Sequence, residues 1–115
     1  METYPFKPED IRVERREIGR DTLLVVTGGA AHIGAVSTAY LEEAAYKVST
    51  TIVPGHKEHM LSEPSALHAA RLLERTVTVV MGIHYDGITH EQISSVSSVV
   101  SRLIDEALDA SEKNF

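Results

Sequence analysis

Ala45-Tyr46-Lys47-Val48-Ser49-Thr50-Thr51-Ile52-Val53, closed by Pro54-Gly55, sets Tyr46, Val48, Thr50 and Ile52 on one face and Lys47, Ser49 and Thr51 on the other. A period of two carried by β-branched and aromatic residues is the pattern of a strand in a sheet. Toward the N-terminus, Ile33 to Leu41 reads as the preceding strand, and Thr22 to Thr27, rich in Leu and Val, as the one before it. Ile11 to Ile18 alternates more weakly, and Gly19-Arg20-Asp21 supplies the turn chemistry that joins these first two strands as a hairpin. Toward the C-terminus, Ser62, Glu63 and Pro64 mark a helix start, and Ala66, Ala69, Ala70 and Leu73 form an apolar stripe at helical spacing. Thr76 to Met81 is a short β-branched run. The last helix opens on a capping box, Thr89 with Gln92, with Ile88 and Ile93 placed as a hydrophobic staple. It continues through Ile93, Val96, Val100, Leu103, Ile104, Ala107 and Leu108.

The order is thus ββββαβα. Short connections suit an antiparallel meander covered on one face by two helices, an α+β sandwich of two layers. A length of 115 residues with 43% apolar content fits one domain, residues 1–115, around one core. The formal charge is −6 and no basic block interrupts it, which excludes the footprint of a nucleic-acid binder. Cysteine is absent, so a disulfide framework, a thiolate metal site and a cysteine nucleophile are excluded. No stretch approaches the roughly 18 apolar residues of a membrane span, and the N-terminus Met1-Glu2-Thr3-Tyr4-Pro5-Phe6 lacks a signal-peptide pattern. A cytoplasmic protein is expected.

Half of the six histidines lie in three glycine-containing junctions, each after a strand: Thr27-Gly28-Gly29-Ala30-Ala31-His32-Ile33-Gly34, Val53-Pro54-Gly55-His56-Lys57-Glu58 and Met81-Gly82-Ile83-His84-Tyr85-Asp86-Gly87. Glycines after a strand let the backbone turn and expose N–H groups, and imidazoles beside them bind anions, metal or a polar ring edge. If the three turns meet in space, they make a site. The first junction matches neither a Rossmann fingerprint nor a P-loop. The second sets a lysine and free N–H groups between strand and helix, which favours an anion. The third offers an imidazole, an aromatic face and a carboxylate. His32, His56, His84 and Asp86 are donors suited to zinc, manganese or iron, although no pair has the His-x-x-x-His spacing of a helical metal site. His59 and His68 read as solvated helix residues and His90 as a surface residue at the start of the last helix.

Taken in order, Thr27-Gly28-Gly29, His32-Ile33-Gly34-Ala35, Pro54-Gly55-His56-Lys57-Glu58 and Gly82-Ile83-His84-Tyr85-Asp86 resemble the prenylated-flavin chaperone LpdD-like family of small bacterial and archaeal proteins. The resemblance runs from the second strand to the last helix. It implies a fold like that of proteasome assembly chaperones, and a non-catalytic protein that binds prenylated FMN, reduced or oxidised, and delivers or protects it for a UbiD-type decarboxylase of the gallate kind. On this resemblance Gly28 and Gly29 cradle the phosphate and Lys57 supplies charge. His32, His56 and His84 line the ribityl or phosphate end, with a bridging divalent metal as a further element, and Gly34, Glu58, Tyr85 and Asp86 complete the cofactor-binding set. Tyr40, Tyr46 and Tyr85 are the aromatic residues able to stack on the ring. A homodimer is expected, since a sheet with one open face, or a helical layer bearing Ser94, Ser97, Ser98 and Ser101, can be completed by a second copy. Two other readings stand beside this one. One is an assembly chaperone that binds a partner subunit and no small ligand. The other is a metal-dependent enzyme using His32, His56 and His84 with Asp86 or Glu58 as base.

Overall fold

One crossover decides how the strands are arranged. The computed structural model describes residues 2–110; Met1 and residues 111–115 of the expected domain lie outside the described residues. A single 3-10 turn, Pro8–Asp10, precedes β1 (Arg12–Ile18), β2 (Asp21–Gly29), β3 (Ala35–Glu42), β4 (Ala45–Ile52), α1 (His59–Leu73), β5 (Val77–His84) and α2 (His90–Ala110). The element order is the expected one, in an α+β fold with a mostly antiparallel sheet. The neighbour order is not that of a meander. The sheet runs β1-β2-β5-β3-β4, and β5 lies parallel to β2 and antiparallel to β3. After β4 the chain crosses the sheet through α1 and inserts β5 between β2 and β3.

Composition explains that placement. Val77, Val79 and Met81 of β5 are fully buried, which suits a central strand paired on both edges. The polar residues Lys47, Ser49 and Thr51 are exposed on β4, and Arg12, Glu14 and Arg16 on β1, which are the two edges.

Register assigns the faces. Leu24 pairs with Val79 and Val26 with Met81 across β2 and β5, and Ser37 and Ala35 meet the same two residues from β3. Leu24, Val26, Val79 and Met81 pack with Ala66, Ala69 and Ala70 of α1 and with Val96, Val100, Ile104 and Leu108 of α2 in one core. Small residues on both sides, Ala66, Ala69 and Ala70 against Ala35, Ser37 and Ala39, let α1 lie close to the sheet. Ser37 Oγ is 2.8 Å from Ser62 Oγ of α1 and 2.8 Å from Thr50 Oγ1 of β4, so the hydroxyls buried at this contact satisfy one another. The opposite face of the sheet carries Leu23, Val25, Val36, Tyr40 and Val80, half-buried and uncovered by either helix.

Both ends of α2 are tied. The Thr89 N–H donates to Gln92 Oε1 at 3.0 Å and the Gln92 N–H to Thr89 Oγ1 at 3.2 Å, which is the capping box. In the last turn the Arg15 guanidinium of β1 donates to the carbonyls of Ala107 and Leu108, where a cation also complements the helix dipole. Ile93 is 50% exposed, so the buried stripe begins at Val96.

Two boundaries differ from the expectation by three residues. Helix α1 starts at His59, and Pro64 lies inside it. The N–H that proline lacks would have met the carbonyl of Met60, an exposed residue of the first turn. Strand β5 continues past Met81 through Gly82 and Ile83 to His84, because β2 keeps pairing with it up to Gly29. Among the described residues no helix is long and apolar enough to cross a membrane.

Candidate functional site

The parallel pairing of β2 with β5 brings the three glycine-histidine junctions to one end of the sheet. Gly29 is in register with His84, and the Ala30 N–H donates to the His84 carbonyl at 3.0 Å. The Gly34 N–H donates to the Met81 carbonyl and the Val53 N–H to the Gly34 carbonyl, each at 2.9 Å, which ties the second junction to the first. Pro54 and Gly55, the latter at φ +86°, form the centre of a turn closed by the His56 N–H on the Val53 carbonyl. Both helices begin at this end as well. The carboxyl ends of parallel strands, with helix N-termini around them, are where α/β sheets bind ligands.

His32, His56 and Glu58 meet there. Their ligand atoms all lie within 4.8 Å of one another, and the two imidazole centroids are 4.7 Å apart. His32 Nδ1 is 2.8 Å from the Ala30 carbonyl, and its Nε2 is 2.5 Å from Glu58 Oε2. His56 Nδ1 is 3.7 Å from Glu58 Oε1. Glu58, the residue before α1, is nine-tenths buried as a side chain and accepts the Ile83 N–H at 3.3 Å. The last β3–β5 pair is Ala35 with Met81, so this carboxylate serves the donor that the departing strand leaves. Two glycines make room for the arrangement. A side chain at Gly34 would collide with the Glu58 carboxylate, and one at Gly82 with the His32 carbonyl.

The other expected residues have different surroundings. Gly28 and Gly29 lie under Ile11 and Tyr85: a Cβ on Gly28 would be 2.9 Å from Ile11 and 3.0 Å from the Tyr85 hydroxyl, and one on Gly29 would strike the His84 carbonyl. The Gly29 N–H donates to Asp10 Oδ1 at 3.2 Å. With the Ala30 N–H on His84, the donors expected to cradle a phosphate are engaged inside the fold. Tyr85 is buried, its ring set edge-on to Phe6 at 5.5 Å, and its hydroxyl donates to the Lys7 carbonyl and to Asp10. Burial and the Asp10 carboxylate raise the phenol well above its usual range. Tyr85 therefore anchors the N-terminal segment from inside and is not placed to stack on a ligand.

Asp86 holds the same segment from outside. It accepts the Tyr4 N–H at 2.7 Å and returns its own N–H to the Tyr4 carbonyl at 2.8 Å, while His84 Nε2 lies 2.9 Å from its other oxygen. The Tyr4 N–H, then His84, hold the Asp86 carboxyl below its ordinary value. Lys57 is exposed beside the cluster. Ile33 and Met60, adjacent in sequence to His32 and two residues after Glu58, are 60% and 69% exposed.

His59 is half-buried, not solvated, and its Nδ1 is buried without a hydrogen-bond partner. His68 pairs with Asp105 of α2 at 2.9 Å on the surface, and His90 is exposed at the first position of α2. At the opposite end of the sheet, Arg20, Leu41, Tyr46, Leu73 and Arg75 line a shallow open depression. It contains no histidine, and Arg75 is already paired with Glu17 at 2.7 Å.

Residues 6–112 match the family described as the prenylated flavin chaperone LpdD-like domain. Over 89 residues the chain is 36% identical to "Protein LpdD" of Lactiplantibacillus plantarum (strain ATCC BAA-793 / NCIMB 8826 / WCFS1), an alignment that takes in 75% of this chain. It spans 65% of that relative's length.

Proposed function

The chain belongs to the prenylated flavin chaperone LpdD-like family, and from that premise we propose that it binds prenylated FMN as cargo and passes it to a UbiD-type decarboxylase, without itself decarboxylating a substrate. The observation that carries this reading is the convergence of three strand-end junctions on one polar cluster with exposed apolar side chains beside it. Prenylated FMN has a phosphate at one end and an enlarged apolar ring system at the other. Lys57 and His56, next to the first turn of α1, suit the phosphate. Ile33 and Met60 offer apolar area to the ring, and His32, Glu58 and His84 supply polar contacts between. A carrier must release what it holds, so an open strand-end site of moderate affinity fits transfer better than an enclosed cavity.

A second copy of the chain belongs to the same proposal. The uncovered sheet face with Leu23, Val25, Val36, Tyr40 and Val80 is the surface it would cover. Light scattering that returns the mass of one chain at micromolar concentration removes this element.

Anaerobic calorimetric titration of the protein with reduced prenylated FMN, with plain FMN as control, tests the cargo. Saturable binding that prefers the prenylated form, weakened by Lys57→Ala with the fold intact, is the expected result. Binding of neither flavin would reject the cargo assignment and leave a protein-assembly chaperone as the better reading.

A further inference from the structure

We propose that His32 Nε2, His56 Nδ1 and the Glu58 carboxylate form a site for one divalent transition-metal ion of the borderline class to which zinc belongs. The site rests on side-chain chemistry alone and does not depend on the flavin cargo.

The argument begins with protons. A backbone carbonyl only accepts hydrogen bonds, so the 2.8 Å contact of His32 with the Ala30 carbonyl places the ring proton on Nδ1. In the neutral ring Nε2 is then a lone pair. That atom is buried, makes no hydrogen bond, and stands 2.5 Å from Glu58 Oε2, itself an acceptor. At this distance a proton fits between the two acceptors as they stand, and a metal ion fits only once the pair opens. A bridging proton needs only this pair. The structure adds a third donor, since His56 Nδ1 lies 3.7 Å from the other Glu58 oxygen and all three ligand atoms fall within 4.8 Å. Zinc bonds of about 2.1 Å place tetrahedral ligand atoms roughly 3.4 Å apart, between these limits. An imidazole that donates Nδ1–H to a carbonyl while offering Nε2 is also the arrangement that orients histidines toward metals.

Two imidazoles and a carboxylate suit zinc, manganese or ferrous iron, and three protein ligands leave a coordination position open to an exchangeable ligand. The histidine side chains are 25% and 36% exposed, so an ion can enter from solvent, whereas Glu58 is fixed beneath by the Ile83 N–H.

The test uses the full chain, freed of metal by a chelator and titrated with Co2+ and then Zn2+. Calorimetry reads the stoichiometry, and the visible bands of cobalt read its coordination. One equivalent of four- or five-coordinate cobalt, displaced by zinc, is expected. His56→Ala and Glu58→Gln should each weaken binding by more than about tenfold, while His68→Ala, on the exposed surface of α1, should leave it unchanged. His56 is half-exposed, so its removal spares the core, and circular dichroism verifies that the variant is folded. Absence of a one-equivalent site, or binding that survives both substitutions, overturns the proposal. So does a nitrogen-15 ring spectrum in which His32 Nε2 still carries a proton after one equivalent of zinc, for the bridge is then that proton.

Discussion

The carboxylate of Glu58 occupies the space in which a side chain on Gly34 would stand. The relationship joins the start of α1 to the end of the sheet, because the same carboxylate accepts the Ile83 N–H just beyond the last β3–β5 pair. The glycine thereby gives a helix-terminal acid access to a strand donor.

Gly34→Ala is expected to push Glu58 outward and leave the Ile83 N–H without a partner. The expected cost is about 1–3 kcal/mol, the penalty of an unsatisfied buried donor. Urea denaturation should show a lower midpoint with unchanged slope. Glu58→Gln keeps an acceptor oxygen of the same reach and should cost less than Gly34→Ala. Equal stability of Gly34→Ala and the parent would show that the carboxylate is not held there.

The hydroxyls of Ser62, Ser37 and Thr50 form a chain between α1, β3 and β4 with 2.8 Å links. Ser37→Ala breaks both links at once and leaves the Ser62 hydroxyl buried alone, at a cost of about 1–2 kcal/mol. Adding Ser62→Ala removes the stranded hydroxyl, so the double variant should be more stable than the sum of the singles by about 0.5 kcal/mol or more. Strict additivity in a denaturation cycle would mean that the two hydroxyls do not interact.

Much of this was readable from sequence where the signal is local. The capping box of Thr89 and Gln92 located the start of α2, and both of its hydrogen bonds are present. Alternation located β4. The order of neighbours in the sheet was not readable, because a period of two says which face a residue presents and nothing about which strand lies beside it. His32, His56 and Glu58 were legible as chemistry-bearing residues, but their meeting depends on the β2–β5 pairing and on close approaches at Gly34 and Gly82. Gly28 and Gly29 show the limit most clearly. A glycine after a strand suits a phosphate, a turn or close packing equally, and here Ile11 and Tyr85 lie over them. Asp10, which holds the Gly29 N–H and the Tyr85 hydroxyl, was missed because it bonds to a residue 75 positions away and belongs to no motif.

The short antiparallel connection between β3 and β4 was expected from the two strand patterns, although its turn residues, Glu43 and Ala44, carry no turn signal. Both have left-handed backbones, at φ +50° and +67°, between the paired residues Glu42 and Ala45. Two-residue hairpin turns favour glycine at the second of these positions. Relief of the left-handed strain exceeds the added entropy of the unfolded chain, so Ala44→Gly should stabilise the protein by about 0.5–1 kcal/mol. Thermal unfolding reads this as a higher Tm. A lower Tm would mean that the turn holds its residues without strain.

Acid should release the N-terminal segment before it unfolds the sheet. The Tyr4 N–H, with His84 as the second contributor, holds the folded pKa of Asp86 below its ordinary value. A carboxylate depressed in the folded state contributes stability that is fully present above its unfolded pKa and is lost as the pH falls through the lower, folded one. The link between Asp86 and Tyr4 should therefore be intact at neutral pH and weaken only below about pH 4, the ordinary range of an aspartate. Tyr85 continues to anchor Lys7 and Asp10 from inside, so the release should begin at Tyr4 and not at the 3-10 turn. The check is the hydrogen-exchange protection of the Tyr4 amide across that range, beside an Asp86→Asn variant. Protection should fall with acid in the parent and be low at every pH in the variant. Protection that stays flat into strong acid, or that Asp86→Asn leaves unchanged, would assign the hold on Tyr4 to other contacts.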